Sequence, residues 1–138
     1  MRFAGRVFKS GRYWAIEVPI LAVVSQGRTK KEAFEMIADA IETLVDKPDF
    51  KIHLFSGKGE YFEIGASDES VLTAFLLRRE RMKSGLSLAE VAGKLGSKSL
   101  NTYARYEQGR TVPTVLKLSQ LLSAVTLRKD FVLTESLA

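Results

Sequence analysis

The chain has 138 residues, 46% of them hydrophobic, and a net charge of +5, which fits one medium domain or two small ones with an ordinary globular core. It contains no cysteine and one histidine, which excludes disulfides and thiol chemistry and disfavours a zinc site. No apolar run approaches the roughly 20 residues that a membrane helix needs. Residues 1–12 lack the apolar core of a signal peptide, so we expect a cytoplasmic protein without membrane contact.

The charge is distributed unevenly along the chain. Residues 1–70 carry ten Lys and Arg against eleven Asp and Glu, whereas residues 71–138 carry eleven against five. This asymmetry is typical of a protein in which one domain meets a polyanion and the other does not. We therefore predict four segments: a front domain at 1–66, a linker at 67–70, a second domain at 71–126 and a C-terminal strand or tail at 127–138.

The front of the chain alternates polar and apolar residues in the manner of strands. Arg2–Lys9 and Tyr13–Val18 flank a Ser-Gly-Arg turn and predict a hairpin, and the β-branched Ile20–Ser25 predicts a third strand. Two further strands are predicted at Phe50–Phe55 and Glu60–Ile64, around a glycine-containing turn.

A helix is predicted between the third and fourth strands. Thr29 and Glu32 have the spacing of a capping box, and apolar residues at helical spacing continue to Val45. The predicted inner face consists of Ala33, Ile37, Ala40, Ile41 and Leu44.

The segments YWAIEVP and SQGRTKKEAFEMIADAIETL contain a proline-ended strand, a Gln-Gly turn and a Thr-x-x-Glu-Ala helix. In these features the front domain resembles the N-terminal domain of HicB antitoxins. The resemblance implies a small mixed β-sheet with one helix, a degenerate ribonuclease-H-like fold. It also implies that the front domain masks HicA, a small toxin that cleaves mRNA.

Candidate toxin contacts lie on the first hairpin. Arg12, Tyr13 and Glu17 are our candidates, because an aromatic ring beside a guanidinium is typical of interface anchors. The alternative is that the rings of Tyr13 and Trp14 belong to the core.

A ribonuclease-H-like fold prompts a search for carboxylates that could hold two Mg²⁺ ions about 4 Å apart. Glu17 is the only acid before Glu32, and the acids of the helix are spaced by three or four residues, as on a solvated face. His53 has no nucleophile paired with it in sequence. We therefore expect no catalytic residue, no metal site and no cofactor.

The second domain begins with a predicted helix at Val71–Lys83 and closes with one at Thr114–Val125. The basic residues late in the first of these helices are predicted to interact favourably with its dipole. They are Arg78, Arg79, Arg81 and Lys83.

The segment Leu86–Pro113 has the pattern of a helix-turn-helix. Ser87 and Glu90 form a capping box for its first helix, and Gly96 can end that helix by adopting positive φ. Ser99 can cap the second helix. The alternative is an ordinary α-hairpin with a polar outer face.

The second of these two helices is the predicted DNA reader. Asn can pair with adenine and Arg with guanine in the major groove, so Asn101 and Arg105, one turn apart, are assigned to base reading. Residues around them suit phosphate contacts. The full predicted DNA-binding set is Lys98, Ser99, Leu100, Asn101, Thr102, Arg105 and Arg110.

The motifs LSLAEVAGKLG and YARYEQG, followed by Pro113, make residues 71–125 resemble DNA-binding domains of the Cro and phage-repressor type. Members of that class usually carry a phosphate-bracing Gln where this chain has Leu88. The turn between Gly96 and Tyr103 is one residue longer than is usual in the class. The residues that read bases are therefore assigned only to within one position along the chain.

The segment Leu127–Glu135 alternates in the manner of a strand. With no partner in its own helical domain, it is predicted to pair with a second copy and form a homodimer or a higher homo-oligomer. The alternative is a disordered tail.

The two resemblances together describe an α+β protein with a type II antitoxin function. We expect it to neutralise a HicA-like toxin by direct binding and to repress its own operon by binding double-stranded operator DNA. The alternative is a stand-alone transcriptional repressor whose front domain senses a small molecule.

Overall fold

The computed structural model describes residues 1–127 and 129–138. The chain forms two compact units, which we call unit 1 (Met1–Glu69 with Glu135–Ala138) and unit 2 (Ser70–Thr134). Unit 1 contains the strands together with one α-helix, and unit 2 consists of helices, which confirms the α+β class. None of the helices in the described part of the chain is long and apolar enough to cross a bilayer.

Unit 1 is built on a five-stranded sheet with the strand order β3-β2-β1-β5-β4. All four strand pairings are antiparallel, so the predicted mixed sheet is wrong. Tight turns join β1 to β2 and β4 to β5 and make those two pairings antiparallel, and β1–β5 and β2–β3 pair in the same sense without such a turn. The ribonuclease-H-like identity of the unit stays a prediction. The strands are β1 (Phe3–Ser10), β2 (Tyr13–Val18), β3 (Val23–Gly27), β4 (Ile52–Ser56) and β5 (Tyr61–Ala66).

The helix α1 (Lys30–Val45) connects β3 to β4 and covers one face of the sheet. Thr29 caps it as predicted, because its side chain accepts a hydrogen bond from the backbone N–H of Glu32 at 3.0 Å. The other half of the predicted capping box differs, because the Glu32 carboxylate accepts from the backbone N–H of Arg28 and not from that of Thr29. Leu44, predicted to face inward, is 39% exposed, and Val45 is buried instead. The sheet face that α1 covers is the inner face, and the opposite one is the outer face.

Close packing on the inner face depends on Gly5. A Cβ atom at this position would lie 2.2 Å from the ring of Phe62, its neighbour on β5. Phe62 is fully buried and meets Phe34 of α1 edge to face, with ring centroids 5.3 Å apart. Glycine is therefore required where the central strand passes beneath this aromatic pair.

The predicted strand Ile20–Ser25 is wrong in its first half. Pro19–Leu21 forms a short 3₁₀ helix, Ala22 has a φ of 52°, and β3 starts at Val23. Proline supplies the fixed φ that starts such a turn, and Leu21 is fully buried by it. The burial of Leu21 therefore determines the backbone conformation of this segment, although its β-branched neighbours favour a strand.

Unit 2 contains four helices: α2 (Glu69–Lys83), α3 (Leu88–Lys94), α4 (Leu100–Glu107) and α5 (Val115–Val125). The first of them begins two residues before the predicted start and so extends into the predicted linker 67–70. The Thr114 side chain caps α5 by accepting from the backbone N–H of Lys117 at 3.1 Å. The largest fully buried side chains of this unit are Tyr103, Leu72, Leu77 and Leu121.

The strand predicted at Leu127–Glu135 is not observed in the described residues of that segment. Arg128, which falls within the prediction, lies outside the described residues. Residues 129–133 instead line a groove on α5 with Val115, Leu118 and Leu122, and residues 135–138 belong to unit 1. A strand at this position would need a second strand to share its backbone hydrogen bonds. Pairing with the same segment of a second copy therefore stays a prediction.

Candidate DNA-binding surface

The helix α3 begins with the predicted capping box. The Ser87 hydroxyl accepts from the backbone N–H of Glu90 at 3.0 Å, and the Glu90 carboxylate accepts from the backbone N–H of Ser87 at 3.2 Å. Two of the donors left unpaired at a helix start are thereby satisfied. Val91 and Ala92 form the buried side of this short helix.

The turn after α3 has the conformation that Gly96 permits. Gly96 has a φ of 67°, and the N–H of Ser97 donates to the carbonyl of Ala92 at 3.0 Å, which closes the helix end. The Ser97 hydroxyl donates to the carbonyl of Ser99 at 2.9 Å. The Ser97 side chain therefore shapes the entry to α4.

The helix α4 presents the predicted reading residues to solvent. The Ser99 hydroxyl caps it by accepting from the backbone N–H of Asn101 at 3.2 Å, as predicted. Its inner side consists of Tyr103 and Ala104, with Tyr106 half-buried. Its outer side contains the exposed residues Leu100, Asn101, Thr102 and Arg105, and Lys98 and Arg110 are exposed before and after it.

A buried ion pair holds α4 against α2. Arg81 grips the Glu107 carboxylate in a two-pronged contact, with Nε 2.9 Å from Oε2 and Nη2 2.6 Å from Oε1. The side chains are 17% and 7% exposed. Arg81 Nη1 also donates to the carbonyl of Leu86 at 2.9 Å, so one guanidinium fixes both α4 and the loop that leads into α3.

The sequence pattern predicted a dipole role for Arg81 and no role for Glu107. The useful signal was Glu107 itself, an acid just before the Gln-Gly turn in a strongly basic region. Glu107 raises the pKa of the Arg81 guanidinium above its ordinary value. Burial raises the pKa of the neighbouring Tyr103 hydroxyl, and the Glu107 carboxylate raises it further.

The surface cations are available for an external anion. Glu107 is neutralised by Arg81, and Glu90 is engaged in its cap. Within residues 1–127 and 129–138, no ion pair involves Lys98, Arg105 or Arg110. The outer side of α4 therefore combines a positive charge with the amide of Asn101, as major-groove recognition requires.

Residues 77–127 match a family model described as a helix-turn-helix, of the Cro/C1 type. Unit 2 therefore contains a DNA-binding helix-turn-helix domain. The match supports a role in DNA-binding transcription regulation. No curated protein matches the chain.

Leu88, the first residue of α3, is 36% exposed at the edge of the helix-turn-helix. A leucine side chain offers no hydrogen bond to a phosphate, unlike the glutamine usual in the class. The Leu88 side chain therefore cannot make the phosphate contact that glutamine makes in the class.

The predicted toxin-contact residues lie in unit 1, on or beside β2. Tyr13 is 46% exposed, so the alternative that its ring is in the core is wrong. Tyr13 and Glu17 lie on the outer face, where they pair with Ser10 and Arg6 of β1. Arg12 is exposed in the turn that precedes β2. Trp14 is half-buried, with Lys9 Nζ 5.5 Å from its ring centroid.

The acids of unit 1 form no cluster with metal-binding geometry among residues 1–127 and 129–138. Glu32, one of the acids considered at the sequence level, accepts from the backbone N–H of Arg28 at 3.1 Å and so serves the start of α1. His53 is exposed on the outer face of β4.

Proposed function

We propose that the protein represses transcription by placing α4 in the major groove of an operator. The observation that carries this proposal is the exposed pair Asn101 and Arg105 on a helix that is capped at its start and braced at its end. Residues four apart lie on one side of a helix, so both side chains can reach adjacent base pairs. We assign Asn101 to adenine and Arg105 to guanine.

The flanking residues are assigned to the DNA backbone. Lys98 and Arg110 lie on either side of α4 with their charges unpaired in the described chain, which suits phosphate contact. A serine that accepts a hydrogen bond at a cap keeps its own hydroxyl proton, so Ser99 can still donate to a phosphate. These contacts set affinity and salt dependence, whereas Asn101 and Arg105 set sequence preference.

The DNA-binding proposal is tested with a duplex selected by the full-length protein from random-sequence DNA. Arg105→Ala should weaken binding to that duplex by about 1 to 3 kcal/mol and relax its preference at one base pair. Lys98→Ala should weaken all duplexes equally and reduce the salt dependence. Lys58→Ala, which removes one charge from the β4–β5 turn, is the matched control. Equal binding by Arg105→Ala and this control would refute the placement of α4.

We further propose that unit 1 binds a small HicA-like ribonuclease toxin, which makes the protein an antitoxin that represses its own operon. The HicB-like motifs support this, and so does the outer face of the sheet, where Tyr13 is exposed next to Arg12 in the chain and shares the face with Glu17. An exposed aromatic ring with adjacent charges is typical of a protein interface. The proposal assigns the protein no catalytic reaction.

The toxin proposal is tested by co-expression with the basic polypeptide of under about 90 residues that we expect a neighbouring gene to encode. Growth arrest by that polypeptide should be relieved by the full-length protein, and relief should weaken in Tyr13→Ala. Lys58→Ala again serves as the control. If the protein neither binds nor neutralises the polypeptide, unit 1 has another role, such as ligand sensing, and the DNA-binding result stands separately.

We propose that the DNA-bound form is a homodimer. Val112, Val115 and Leu116 are 68%, 79% and 72% exposed, which leaves apolar surface at the start of α5. Such a patch favours self-association, and a two-fold dimer reads two half-sites.

Sedimentation should show dimers that Leu116→Lys converts to monomers. Deletion of residues 127–138 distinguishes this surface from the tail, because dimers that survive the deletion do not need a tail strand.

A further inference from the structure

A buried carboxylate lies on the outer face of unit 1. Glu63 of β5 has a side chain only 4% exposed, although α1 covers the opposite face. Oε2 accepts from the Tyr61 hydroxyl at 2.5 Å and from the backbone N–H of Leu137 at 3.0 Å. Oε1 accepts from the Ser136 hydroxyl at 2.6 Å and from Arg2 Nη1 at 3.3 Å.

These donors come from two sources. Tyr61 belongs to the same strand as Glu63, and Arg2 immediately precedes β1, the neighbouring strand. Ser136 and Leu137 belong to the C-terminal segment, which supplies half of the described donors. A carboxylate removed from water is costly unless it is hydrogen-bonded, so the segment and Glu63 depend on each other.

The surroundings of Glu63 form a shaped site. Phe55 of β4 is its cross-strand partner, and the Arg2 guanidinium lies 3.4 Å from the centroid of the Phe55 ring. The ring holds Arg2 in place through a cation–π contact, and Arg2 in turn points a donor at Glu63. The site thus presents one fixed anion between aromatic rings, and we call Arg2, Phe55, Tyr61 and Glu63 the Glu63 site.

We propose that the Glu63 site binds an extended polypeptide segment and that Glu135–Ala138 is its intramolecular ligand. The contacts define the chemistry that the site selects: a residue with a side-chain hydroxyl, followed directly by a residue with a backbone N–H. Ser or Thr followed by any residue except proline meets this requirement. This inference goes beyond DNA binding and does not depend on a toxin.

The bound segment has a consequence for any protein that approaches this part of the outer face. Such a protein must displace Glu135–Ala138 or approach the sheet elsewhere, so the segment acts as a built-in competitor. Binding within the same chain needs few contacts, because the segment is always present at high effective concentration.

The test measures protection of the segment Glu135–Ala138 in the chain of residues 1–138. Carboxypeptidase digestion, followed by mass spectrometry, reports how often the segment is released when opening is fast relative to cleavage. Glu63→Gln leaves the tail sequence unchanged but loses the charged acceptor, so removal of Ala138 and Leu137 should accelerate by about tenfold or more. Glu60→Gln is the matched control, because Glu60 lies in the turn before β5 and pairs with Arg6 at 2.8 Å.

A second variant covers the case in which Glu63→Gln disturbs the sheet. Ser136→Ala changes only the tail, and it should lower the hydrogen-exchange protection of the Leu137 amide by about tenfold relative to the unaltered protein. Equal digestion of Glu63→Gln and Glu60→Gln, or unchanged protection of Leu137 in Ser136→Ala, would overturn the proposal.

Discussion

Two carboxylates that are shielded from solvent, Glu107 of unit 2 and Glu63 of unit 1, are satisfied in opposite ways. Glu107 of unit 2 is held by one rigid guanidinium that also fixes the loop before α3. Glu63 of unit 1 is held by separate donors, two of which lie in the last four residues of the chain. The first carboxylate connects core elements, whereas the second connects a sheet surface to a chain end.

The two carboxylates differ in what happens to the fold when their partners are removed. Removing a partner of Glu107 leaves a buried charge between two helices, which cannot separate without losing the core. Removing Ser136 and Leu137 from Glu63 opens only a surface, which water can then solvate. We therefore infer that the pair Arg81–Glu107 is a permanent part of the DNA-binding surface and that the Glu63 site is reversible.

The largest expected effect is on the ion pair of unit 2. Glu107→Gln keeps the shape of the side chain but leaves Arg81 without its counter-charge, so the free energy of unfolding should fall by about 3 kcal/mol or more. Chemical denaturation followed by circular dichroism measures this loss. DNA binding should weaken in parallel, because α4 and the loop at Leu86 share the same brace.

Two further variants sharpen this result. Arg81→Lys retains the charge without the two-pronged geometry, and it should fall between the unaltered protein and Glu107→Gln. Replacing both residues together, as Arg81→Met with Glu107→Leu, should recover much of the stability, since no charge is then left unpaired. A loss below about 1 kcal/mol for Glu107→Gln would mean that the pair is not a core contact.

The spacing of residues in the sequence was sufficient to predict those features that depend on neighbours along the chain. The caps at Thr29, Ser87 and Ser99 and the positive φ of Gly96 were predicted correctly, because each depends on residues within a few positions. The exposed positions of Asn101 and Arg105 follow from the same helical periodicity.

Long-range pairs were not predictable from spacing. Arg81 and Glu107 lie 26 residues apart, and Glu63 and Ser136 lie 73 residues apart, so no local pattern joins them. The misplaced third strand has the same cause: the buried position of Leu21 is decided by packing rather than by the β propensity of its neighbours. Neither an ion pair between distant residues nor the burial of a single residue in an irregular turn leaves a periodic signal in one sequence.

A smaller effect is expected at the cap of α3, next to the loop that Arg81 holds. Ser87→Ala removes the acceptor for the backbone N–H of Glu90 and should lower the free energy of unfolding by about 1 kcal/mol. Ser87→Asp should restore it, because aspartate caps as well as serine does. Thermal or chemical denaturation compares the two variants, and equal loss in both would show that the cap does not limit stability.

The smallest expected effect at neutral pH, and the sharpest on acidification, concerns Glu63. Hydrogen bonds from Ser136, Tyr61, Leu137 and Arg2 to the charged carboxylate lower its pKa from an ordinary 4.5 to about 2. Because the pKa is lowered in the folded chain, the stabilisation of the bound segment is fully present above pH 4.5 and is lost as the pH falls towards 2. Tyr61 stays neutral throughout this range, because its hydrogen bond to Glu63 raises the pKa of its hydroxyl above the ordinary value.

A nuclear magnetic resonance titration decides this prediction. The Glu63 carboxyl carbon and the Leu137 amide should change together with a midpoint near pH 2, because protonation of the one releases the other. Ser136→Ala removes the strongest of the interactions that lower the pKa, so it should raise the midpoint towards 4.5. A carboxyl carbon that titrates at its ordinary value while the Leu137 amide stays unchanged would show that Glu63 does not hold the tail. Glu63 and Glu107 would then differ in their position in the fold, but not in whether their contacts are reversible.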